Sequence, residues 1–530
     1  MNVLGVNAVF HDPAAALVVD GETVAAAEEE RFSRRKHGKP PVPFSTWELP
    51  EASARWCLER GGLAPADLDA VAYSYDPRLA PVSGDVTTGG WEGLRTLYVR
   101  RAPRFLSTAL PGLDPERVRF VPHHVAHAAS AHLASPFERC AVMVLDGRGE
   151  RASYLGGHWR DGRLEVLATQ DLPHSLGLMY EELTEFLGFR RSSDEYKVMA
   201  LAAYGRPTAL PLFRRAVRAR ADGGFTVGPI DWAAIEAEPA DLAASAQARL
   251  EEVLVELAGW LHDATGEDAV ALAGGVALNC VANSHLAEHG PFRDVWVQPA
   301  AGDSGTALGA ALHVAHGLGD AVRPMTTAAL GREWSDQEIG AILTEARVPH
   351  ERPGDIAHAA ASVLAADAVV AWFQGRSEYG PRALGRRSLL ANPRNPANVD
   401  RLNAVKGRES FRPVAPMVLA DRAAEIFEGP LPSPFMLFTH RVRDGWAGRI
   451  PAALHVDGSA RIQTVDEADE PLVARMLTEL DRRIGVPVAI NTSLNTAGRP
   501  MVDDPRDALE CFGSAPVDAL AIGPYLVRRA

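Results

Sequence analysis

Short apolar runs separated by polar turns open the chain. NVLGVNAVF, AAALVVD and TVAAAEEE are divided by a polar HDP loop and by a turn at Gly21-Glu22. Apolar runs of this length between Gly, Pro and Asp predict β-strands. The same order returns from Cys140, where CAVMVLD, the loop at 147–150, ASYLGGHW, a turn at Asp161-Gly162 and LEVLATQ follow one another. A repeat on this scale predicts two related half-domains rather than a solenoid.

A third apolar run leads into a glycine pair. DAVALAGGVALNCVAN (268–283) predicts a strand, a turn at Gly274-Gly275 and a helix, with Asn279 beyond the turn. A glycine pair after a strand is also an ordinary turn. Because this one follows two repeated units with polar loops after their first strands, we interpret the order as the phosphate-holding cleft of the actin–hexokinase superfamily. The predicted fold class is therefore α/β, with a duplicated actin–hexokinase-type N-terminal domain.

The pattern changes after about residue 325. SDQEIGAILTEA predicts a helix, ERPGD an irregular link, IAHAAASVLAAD a second helix and AVVAWFQ a strand. Further on come a strand VPVAIN, a loop TSLN and a strand VDALAIGPYLV. We therefore predict a first domain at 1–325, a linker at 326–354 and a second α/β domain at 355–530.

Composition agrees with an enzyme of several domains. At about 150 residues per domain, 530 residues suggest two to four compact units. The four cysteines are isolated and lack CxxC spacing, which predicts free, buried thiols in a reducing compartment. The N-terminus lacks a basic n-region, and no apolar stretch approaches the roughly 20 residues of a membrane span. We expect a cytoplasmic protein with no membrane partner.

Charge singles out one segment, the basic run at 375–413. The chain has a formal charge of −14, yet the segment from GRSEYGPRALGRRSLLANPRN to KGRESFRP carries nine basic residues against three acidic ones between Arg376 and Arg412. The basic residues are Arg376, Arg382, Arg386, Arg387, Arg394, Arg401, Lys406, Arg408 and Arg412. Arginine forks bind phosphate and carboxylate oxygens in pairs, which predicts a pocket for a small anion. Nucleic acid would need a broad positive surface, which an acidic protein with few interleaved aromatics does not offer.

Histidines and aspartates form a candidate metal site. In VPHHVAHAASAH, His123 and His127 are four residues apart and would share one face of a helix. Residue 124 is His rather than Glu, which disfavours a zinc metalloprotease. Asp303 lies at a predicted strand-to-helix junction and could complete a set for Fe(II), Mn(II) or Zn(II). The alternatives are a polar helix face and an ordinary N-cap.

Other candidates lie in loops after apolar strands. Asp146 could bind the metal or ATP phosphates, or form a hairpin turn. His11 occupies the matching loop of the first repeat and could take a proton from a hydroxyl nucleophile. Lys36 could meet a phosphate or solvate a helix end. Asn491 and Ser493 in NTSLN could hydrogen-bond a small polar ligand, and the lack of GxSxG disfavours a hydrolase.

These motifs together resemble one family. EYGPRALGRRSLLANPR, KGRESFRPVAP, NTSLN, HHVAH and GGVALN resemble the O-carbamoyltransferases that include nodulation protein U and the cephem and tobramycin carbamoyltransferases. The resemblance covers nearly the whole chain. It implies a first domain similar to the universal tRNA threonylcarbamoyl-transferase and a second, YrdC-like domain that makes an adenylate. Carbamoyl phosphate and Mg-ATP would give carbamoyl-adenylate, and the first domain would carbamoylate a hydroxyl of a small, antibiotic-type secondary metabolite.

The resemblance also implies roles for single residues. His11 would be the base at the acceptor hydroxyl, and Lys406 and Ser493 would be catalytic in the second domain. Residues that would hold carbamoyl phosphate and the adenylate are Arg382, Lys406, Arg412, Asn491 and Ser493. The nucleotide would be bound by Lys36, Asp146, Gly274, Gly275 and Asn279. His123, His127 and Asp303 would bind iron(II), or Mn(II) or Zn(II).

Two rival functions stay open at this point. A tRNA-modifying enzyme that makes a threonylcarbamoyl adduct would need a basic tRNA-binding face, which the net charge argues against. A non-catalytic nucleotide- or sugar-binding regulator on the same fold predicts no AMP formation that depends on carbamoyl phosphate. The expected partners are carbamoyl phosphate, ATP and an alcohol, without nucleic acid, and a homodimer is allowed.

Overall fold

The computed structural model describes residues 1–38, 48–80 and 90–529. The chain divides into two compact units, Met1–Met325 and Thr326–Ala530. No helix in the described ranges is both long and apolar enough to cross a membrane. All four cysteines are buried and free, as their isolated positions predict.

The first unit is built from two sheets and the helices that cover them. Its strands are β1 (Asn2–Asn7), β2 (Ala14–Val19), β3 (Glu22–Glu28), β4 (Ala70–Tyr73), β5 (Val118–Phe120), β6 (Cys140–Leu145), β7 (Ala152–Arg160), β8 (Arg163–Asp171), β9 (Val217–Ala219), β10 (Phe225–Val227), β11 (Ala269–Ala273) and β12 (Asp294–Val297). Its helices are α1 (Glu30–Ser33), α2 (Glu51–Gly61), α3 (Gly90–Ala109), α4 (His123–His132), α5 (Leu176–Phe186), α6 (Glu195–Ala202), α7 (Leu210–Ala216), α8 (Pro239–Thr265), α9 (Cys280–His289) and α10 (Ser304–Gly317). Short 3₁₀ turns include Lys36–Gly38 and Gly275–Leu278.

The two sheets of this unit have the same topology. One has the order β3-β2-β1-β4-β5 and the other β8-β7-β6-β11-β12. In each, the first three strands in chain order pair antiparallel, and the last two extend the sheet in parallel. This duplication confirms the predicted actin–hexokinase-type fold. The first hairpin turn lies at Asp20-Gly21, where both residues have positive φ, one residue earlier than expected.

Helix α10 fixes where the two repeats meet. It packs against β1, β2 and α4. Gly5 on β1 permits this contact, because a Cβ there would lie 1.8 Å from the Ala307 carbonyl oxygen. The N-terminus of α10 is thereby held beside the loop that joins β1 to β2.

The second unit is an α/β layer structure around one mixed sheet. Its strands are β13 (Val370–Phe373), β14 (Arg387–Ala391), β15 (Ala415–Leu419), β16 (Phe427–Glu428), β17 (His440–Val442), β18 (Ser459–Ala460), β19 (Gln463–Val465), β20 (Val488–Ser493), β21 (Ala519–Ile522) and β22 (Tyr525–Arg528). Its helices are α11 (Asp336–Glu345), α12 (Ile356–Ala365), α13 (Ala397–Val405), α14 (Ala420–Ile426), α15 (Pro471–Ile484) and α16 (Pro505–Ser514). The main sheet has the order β19-β15-β20-β14-β13-β21-β22. The α/β class predicted for this half is therefore confirmed.

Details of the second unit differ from the sequence expectation. VDALAIGPYLV forms two antiparallel strands, β21 and β22, because Gly523 takes a positive φ of 51° and turns the chain. Asn491 and Ser493 lie on β20 rather than in a loop. The segment at 326–354 contains α11, whose Ile339 and Leu343 are buried in the core of this unit.

Candidate active site

Four buried side chains of the first unit converge on one point. His123 and His127 stand one turn apart on α4, Asp146 follows β6, and Asp303 precedes α10. Each offers one ligand atom, and these atoms all lie within 4.8 Å of one another. We call this set the His–Asp cluster. It contains the three predicted metal ligands and adds Asp146.

The distances within the His–Asp cluster suit a divalent cation. His123 Nε2 lies 3.1 Å from Asp146 Oδ2 and 3.6 Å from Asp303 Oδ1, and His127 Nε2 lies 3.6 Å from both carboxylates. Ligands about 2.0–2.2 Å from one ion are about 3–3.5 Å apart in a tetrahedron. Neither ring nitrogen of buried His127 has a hydrogen-bond partner among the described residues. Two imidazoles and two carboxylates therefore fit Zn(II), Mn(II) or Fe(II).

Electrostatics favours ionised carboxylates in the His–Asp cluster. Burial alone would raise the pKa of Asp146, but His123 and His127 hold it well below its usual range. Burial would lower the pKa of His123, yet Asp146 and Asp303 raise it well above its ordinary value. The two acids are thus ready to bind a cation, which would replace the imidazole proton.

Two further groups position the His–Asp cluster. The buried carboxylate of Glu150 accepts hydrogen bonds of 2.8 Å from the His123 and Asp76 backbone N–H groups, so it fixes the start of α4. Burial raises the pKa of Glu150. Sequence reasoning did not find this residue, although its position in LDGRGE beside Asp146 was a usable signal. On the other side, the Gly275 N–H donates to Asp146 Oδ1 at 3.0 Å.

The predicted nucleotide-binding residues divide into two groups. Asp146, Gly274 and Gly275 lie together, and Gly274 has a φ of 92° with space for no Cβ, which would be 2.1 Å from the Leu145 carbonyl oxygen. Lys36 Nζ instead binds both carboxylate oxygens of Glu30 at 3.2 Å. Asn279 caps α9 and donates to Gln247 at 2.8 Å. The structure therefore gives Lys36 and Asn279 internal partners.

The predicted base, His11, lies beside the His–Asp cluster. Its backbone N–H donates to Asp303 Oδ2 at 3.1 Å, and its side chain is 32% exposed. Phe10 and Asp12 on either side have positive φ values of 60° and 43°. Buried Asn7 holds this bent loop by donating to the His11 and Asp12 carbonyls at 2.8 and 3.0 Å.

Most of the basic run in the second unit serves the fold. Arg387 is completely buried over the Phe373 ring and donates to the carbonyls of Gln374, Gly375 and Arg332. Arg386 forms an ion pair with Glu470 at 2.8 Å. Internal carbonyls or acids are also bound by Arg376, Arg394, Arg401 and Arg408. These six arginines therefore have structural contacts within the second unit.

Lys406 is bound differently, by the side chains of the NTSLN motif. Its Nζ donates to Ser493 Oγ at 2.8 Å and to the Ser493 carbonyl at 2.6 Å, and it also contacts Asn495 Oδ1. Ser493 Oγ donates to Asn495 Oδ1 at 2.7 Å. The structure thus joins two predicted residues, Lys406 and Ser493, and adds Asn495, which sequence reasoning did not select.

The remaining residues predicted to bind carbamoyl phosphate are Asn491, Arg382 and Arg412. Buried Asn491 donates to the Ala383 carbonyl at 2.9 Å, so it lies next to the segment that carries Arg382. Arg412 lies 3.6 Å from Glu409. Buried Glu378 shapes this segment, since it accepts hydrogen bonds from the backbone N–H groups of Leu384, Arg386 and Arg387 at 2.7–3.1 Å.

The fold and these sites describe an α/β protein whose duplicated actin–hexokinase-type unit buries two histidines and two aspartates that fit a metal ion. The family model described as Carbamoyltransferase N-terminus matches residues 2–107, 107–226 and 225–312, and Carbamoyltransferase C-terminus matches residues 361–529. The chain therefore belongs to the carbamoyltransferase family and is a carbamoyltransferase enzyme.

Curated relatives agree over nearly the full length. Nodulation protein NolNO of Sinorhizobium fredii is 38% identical over 99% of this chain and 80% of its own. Nodulation protein U of Rhizobium tropici is 31% identical over 96% of this chain and 93% of its own. Among solved structures, (R)-2-hydroxyglutaryl-CoA dehydratase component A of Acidaminococcus fermentans covers 60% of this chain and 99% of its own, with 17% identity and a TM-score of 0.37.

Proposed function

We propose that this carbamoyltransferase is ATP-dependent and acts on a hydroxyl of a small secondary metabolite. In the first step carbamoyl phosphate, water and Mg-ATP give carbamoyl-adenylate, phosphate and pyrophosphate. In the second step the alcohol oxygen bonds to the carbamoyl carbon, the bond from that carbon to the adenylate oxygen breaks, and AMP leaves. The alcohol proton goes to a base on the enzyme.

We assign the first step to the second unit. Arg382, Lys406, Arg412, Asn491 and Ser493 would hold carbamoyl phosphate and the adenylate. Two polyanions must approach each other in this step, and fixed cations and hydrogen-bond donors reduce their repulsion. The contact of Lys406 with Ser493 supports this assignment, because it ties the only lysine of the basic run to the other motif of the same predicted pocket.

We assign the second step to the first unit, and one observation carries this assignment. The His11 N–H donates to Asp303 at 3.1 Å, so the candidate base and the His–Asp cluster belong to one site. His11 would accept the hydroxyl proton. A divalent cation held by His123, His127, Asp146 and Asp303 would supply Lewis-acid polarisation of an acyl oxygen. A nucleotide would approach the Asp146 and Gly274-Gly275 turns, where backbone N–H groups and glycine leave room for phosphate.

The test is turnover of carbamoyl phosphate and ATP. We expect AMP and pyrophosphate to form only when both substrates are present, and a carbamoylated product to form when a suitable alcohol is added. His11→Asn should retain the first step and lose the second. If the protein forms neither AMP nor pyrophosphate with Fe(II), Mn(II) or Zn(II) supplied, the ATP-dependent scheme is wrong. Equal loss of both steps in His11→Asn would contradict the assignment of the two steps to two units.

A further inference from the structure

A second histidine, which the proposed reaction does not use, is joined to His11. Asp12 Oδ2 lies 2.8 Å from His11 Nδ1, and Asp12 Oδ1 lies 2.9 Å from His37 Nδ1. His37 Nε2 lies 2.9 Å from Ser193 Oγ, and the two imidazole rings are 4.3 Å apart. One carboxylate thus lies between two imidazoles, and the outer imidazole is anchored to a third segment of the chain.

The protons in this arrangement can be placed from its chemistry. Burial alone would raise the pKa of Asp12, but His11 and His37 hold it well below its usual range, so the carboxylate is ionised and only accepts hydrogen bonds. Both Nδ1 atoms must then be donors. A neutral His11 with its proton on Nδ1 has its lone pair on Nε2, which is the atom that can take a proton from a hydroxyl.

His37 is held firmly enough to direct Asp12. Its backbone N–H donates to Glu30 Oε2 at 2.8 Å, and Glu30 is buried and also bound by Lys36. Burial lowers the pKa of His37, which favours the neutral ring and leaves Nε2 to accept from the Ser193 hydroxyl. Asp12 and His37 both have positive φ, 43° and 63°, a conformation that residues with a Cβ seldom adopt.

We propose that His37 is a positioning residue for His11: by donating to Asp12 it holds the carboxylate in the orientation that keeps the His11 proton on Nδ1 and the Nε2 lone pair available. The role depends on the proposed function of His11 as the base. Lys36 also contributes to the positioning of His37, because its contact with Glu30 helps to fix the segment that carries His37.

The direct test is the tautomer of His11, and it needs no acceptor. Full-length protein labelled with [¹⁵N]histidine and loaded with Zn(II) would be studied by long-range ¹H–¹⁵N NMR, with His11 assigned by the signal lost in His11→Asn. We expect a single Nδ1–H form in the wild type and a mixture of both tautomers in His37→Leu. In His37→Asn the side-chain Nδ2 takes the place of the imidazole Nδ1 and can still donate to Asp12, so the single form should return. An unchanged His11 tautomer in His37→Leu would overturn the proposal.

The second test is the rate of carbamoyl transfer to probe alcohols, for which we name glucose, N-acetylglucosamine and tobramycin. His37→Leu should lower kcat for transfer by about tenfold to 100-fold, leave KM for the alcohol within about twofold, and leave pyrophosphate formation intact, as expected when an orienting partner is lost. His37→Asn should recover most of kcat. The control is His262→Leu, since His262 is 34% exposed and has its own adjacent aspartate at 3.7 Å. Wild-type transfer rates in His37→Leu would overturn the proposal.

The proposed function and the positioning role of His37 can be disproved independently of each other. If the wild type forms no pyrophosphate from carbamoyl phosphate and ATP, the proposed function is wrong, while the tautomer measurement still decides the role of His37. The ligand atoms of His11, Asp12 and His37 also lie within 4.8 Å of one another. A stoichiometry of two tightly bound Zn(II) ions that falls to one in His37→Leu would therefore show a cation site there and overturn the positioning role.

Discussion

The His–Asp cluster of the first unit and the basic run of the second unit use charged side chains in opposite ways. In the cluster, two imidazoles and two carboxylates face one another, and His127 has no hydrogen-bond partner among the described residues. In the run, most of the cations bind carbonyls or acids of their own unit. A high local charge in the sequence thus marks structural need as well as ligand binding.

The difference is sharpest between Arg387 and Lys406, which are two cations of the same basic run. Arg387 is fully buried and donates to several main-chain carbonyls. Lys406 contacts the side chains of Ser493 and Asn495, which are short, polar and typical of a small-ligand pocket. If the comparison is right, loss of the first cation costs stability and loss of the second costs activity.

The largest effect is expected for Arg387→Met. Removal of the guanidinium takes one hydrogen bond each from the carbonyls of buried Gln374 and of Gly375 and Arg332, together with the contact to the Phe373 ring, and losses of this kind cost about 3–5 kcal/mol. Urea unfolding followed by hydrogen exchange of β13 and β14 peptides measures this change within the second unit. Arg386→Met, which breaks the ion pair with Glu470, should cost less, because burial already raises the pKa of Glu470 to about 7 and the carboxylate left behind can take up a proton. Equal effects of the two substitutions would remove the distinction between them.

Lys406→Met should come next, with a loss in rate. We expect pyrophosphate formation from carbamoyl phosphate and ATP to fall by about 100-fold to 1000-fold, the loss typical of one missing cationic or hydrogen-bonding group at a transition state. The methionine side chain fills the same space, so the folded population should persist. The matched control is Lys197→Met, which breaks a 3.1 Å pair with Asp194 in the first unit. If the activity of Lys406→Met stays within about threefold of wild type, Lys406 is another structural cation.

The features of the fold and of the candidate site that could be predicted from the sequence are those set by residues close together in the chain. The hairpins of both repeats followed from alternating apolar runs and Gly or Asp turns, because strand and turn chemistry is local. The set His123, His127 and Asp303 was also found, since helix spacing and a strand-to-helix junction predict where side chains point. Asp146 was selected as well, for a metal or for phosphate, and the structure brings its carboxylate within 4.8 Å of the other three ligand atoms.

The long-range partners could not be predicted. Nothing local in KHGK indicates that His37 would reach Asp12, which lies 25 residues earlier, or Ser193, which lies 156 residues later. The same holds for Arg376, Arg394 and Arg401, whose carbonyl partners lie 34 to 90 residues away in the chain. Burial decides these roles, and burial is a property of the whole unit.

Metal binding offers a third test of the comparison. His127→Ala removes one imidazole from the His–Asp cluster, and we expect the affinity for Zn(II) and, without oxygen, for Fe(II) to fall by at least about 100-fold, more than is usual for groups outside the ligand set. Isothermal titration calorimetry measures it. The matched control is His285→Ala, because His285 and His289 also stand four apart on a helix, stacked at 4.3 Å, but with Glu251 3.7 Å away and no buried pair of acids. Unchanged affinity in His127→Ala would mean that the cluster is no metal site.

The most gradual effect concerns a histidine on the same helix, α4, that has no carboxylate partner among the described residues. Burial lowers the pKa of His132 to about 4 from 6.5, and its ring stacks on Trp159 at 4.8 Å. Below pH 6.5 the unfolded chain therefore binds a proton that the folded chain does not, so stability falls as the pH falls from 6.5 to about 4, by about 1.4 kcal/mol per pH unit. His132→Phe keeps the stacked ring and should reduce the pH dependence of stability by this amount in urea unfolding followed by hydrogen exchange of β6 and β7 peptides. Exposed His350→Phe should leave it unchanged, because that imidazole is solvated in both states. An unchanged pH dependence of stability in His132→Phe would mean that His132 takes up its proton at the same pH in the folded and unfolded chain. The contrast between histidines with and without carboxylate partners would then be lost.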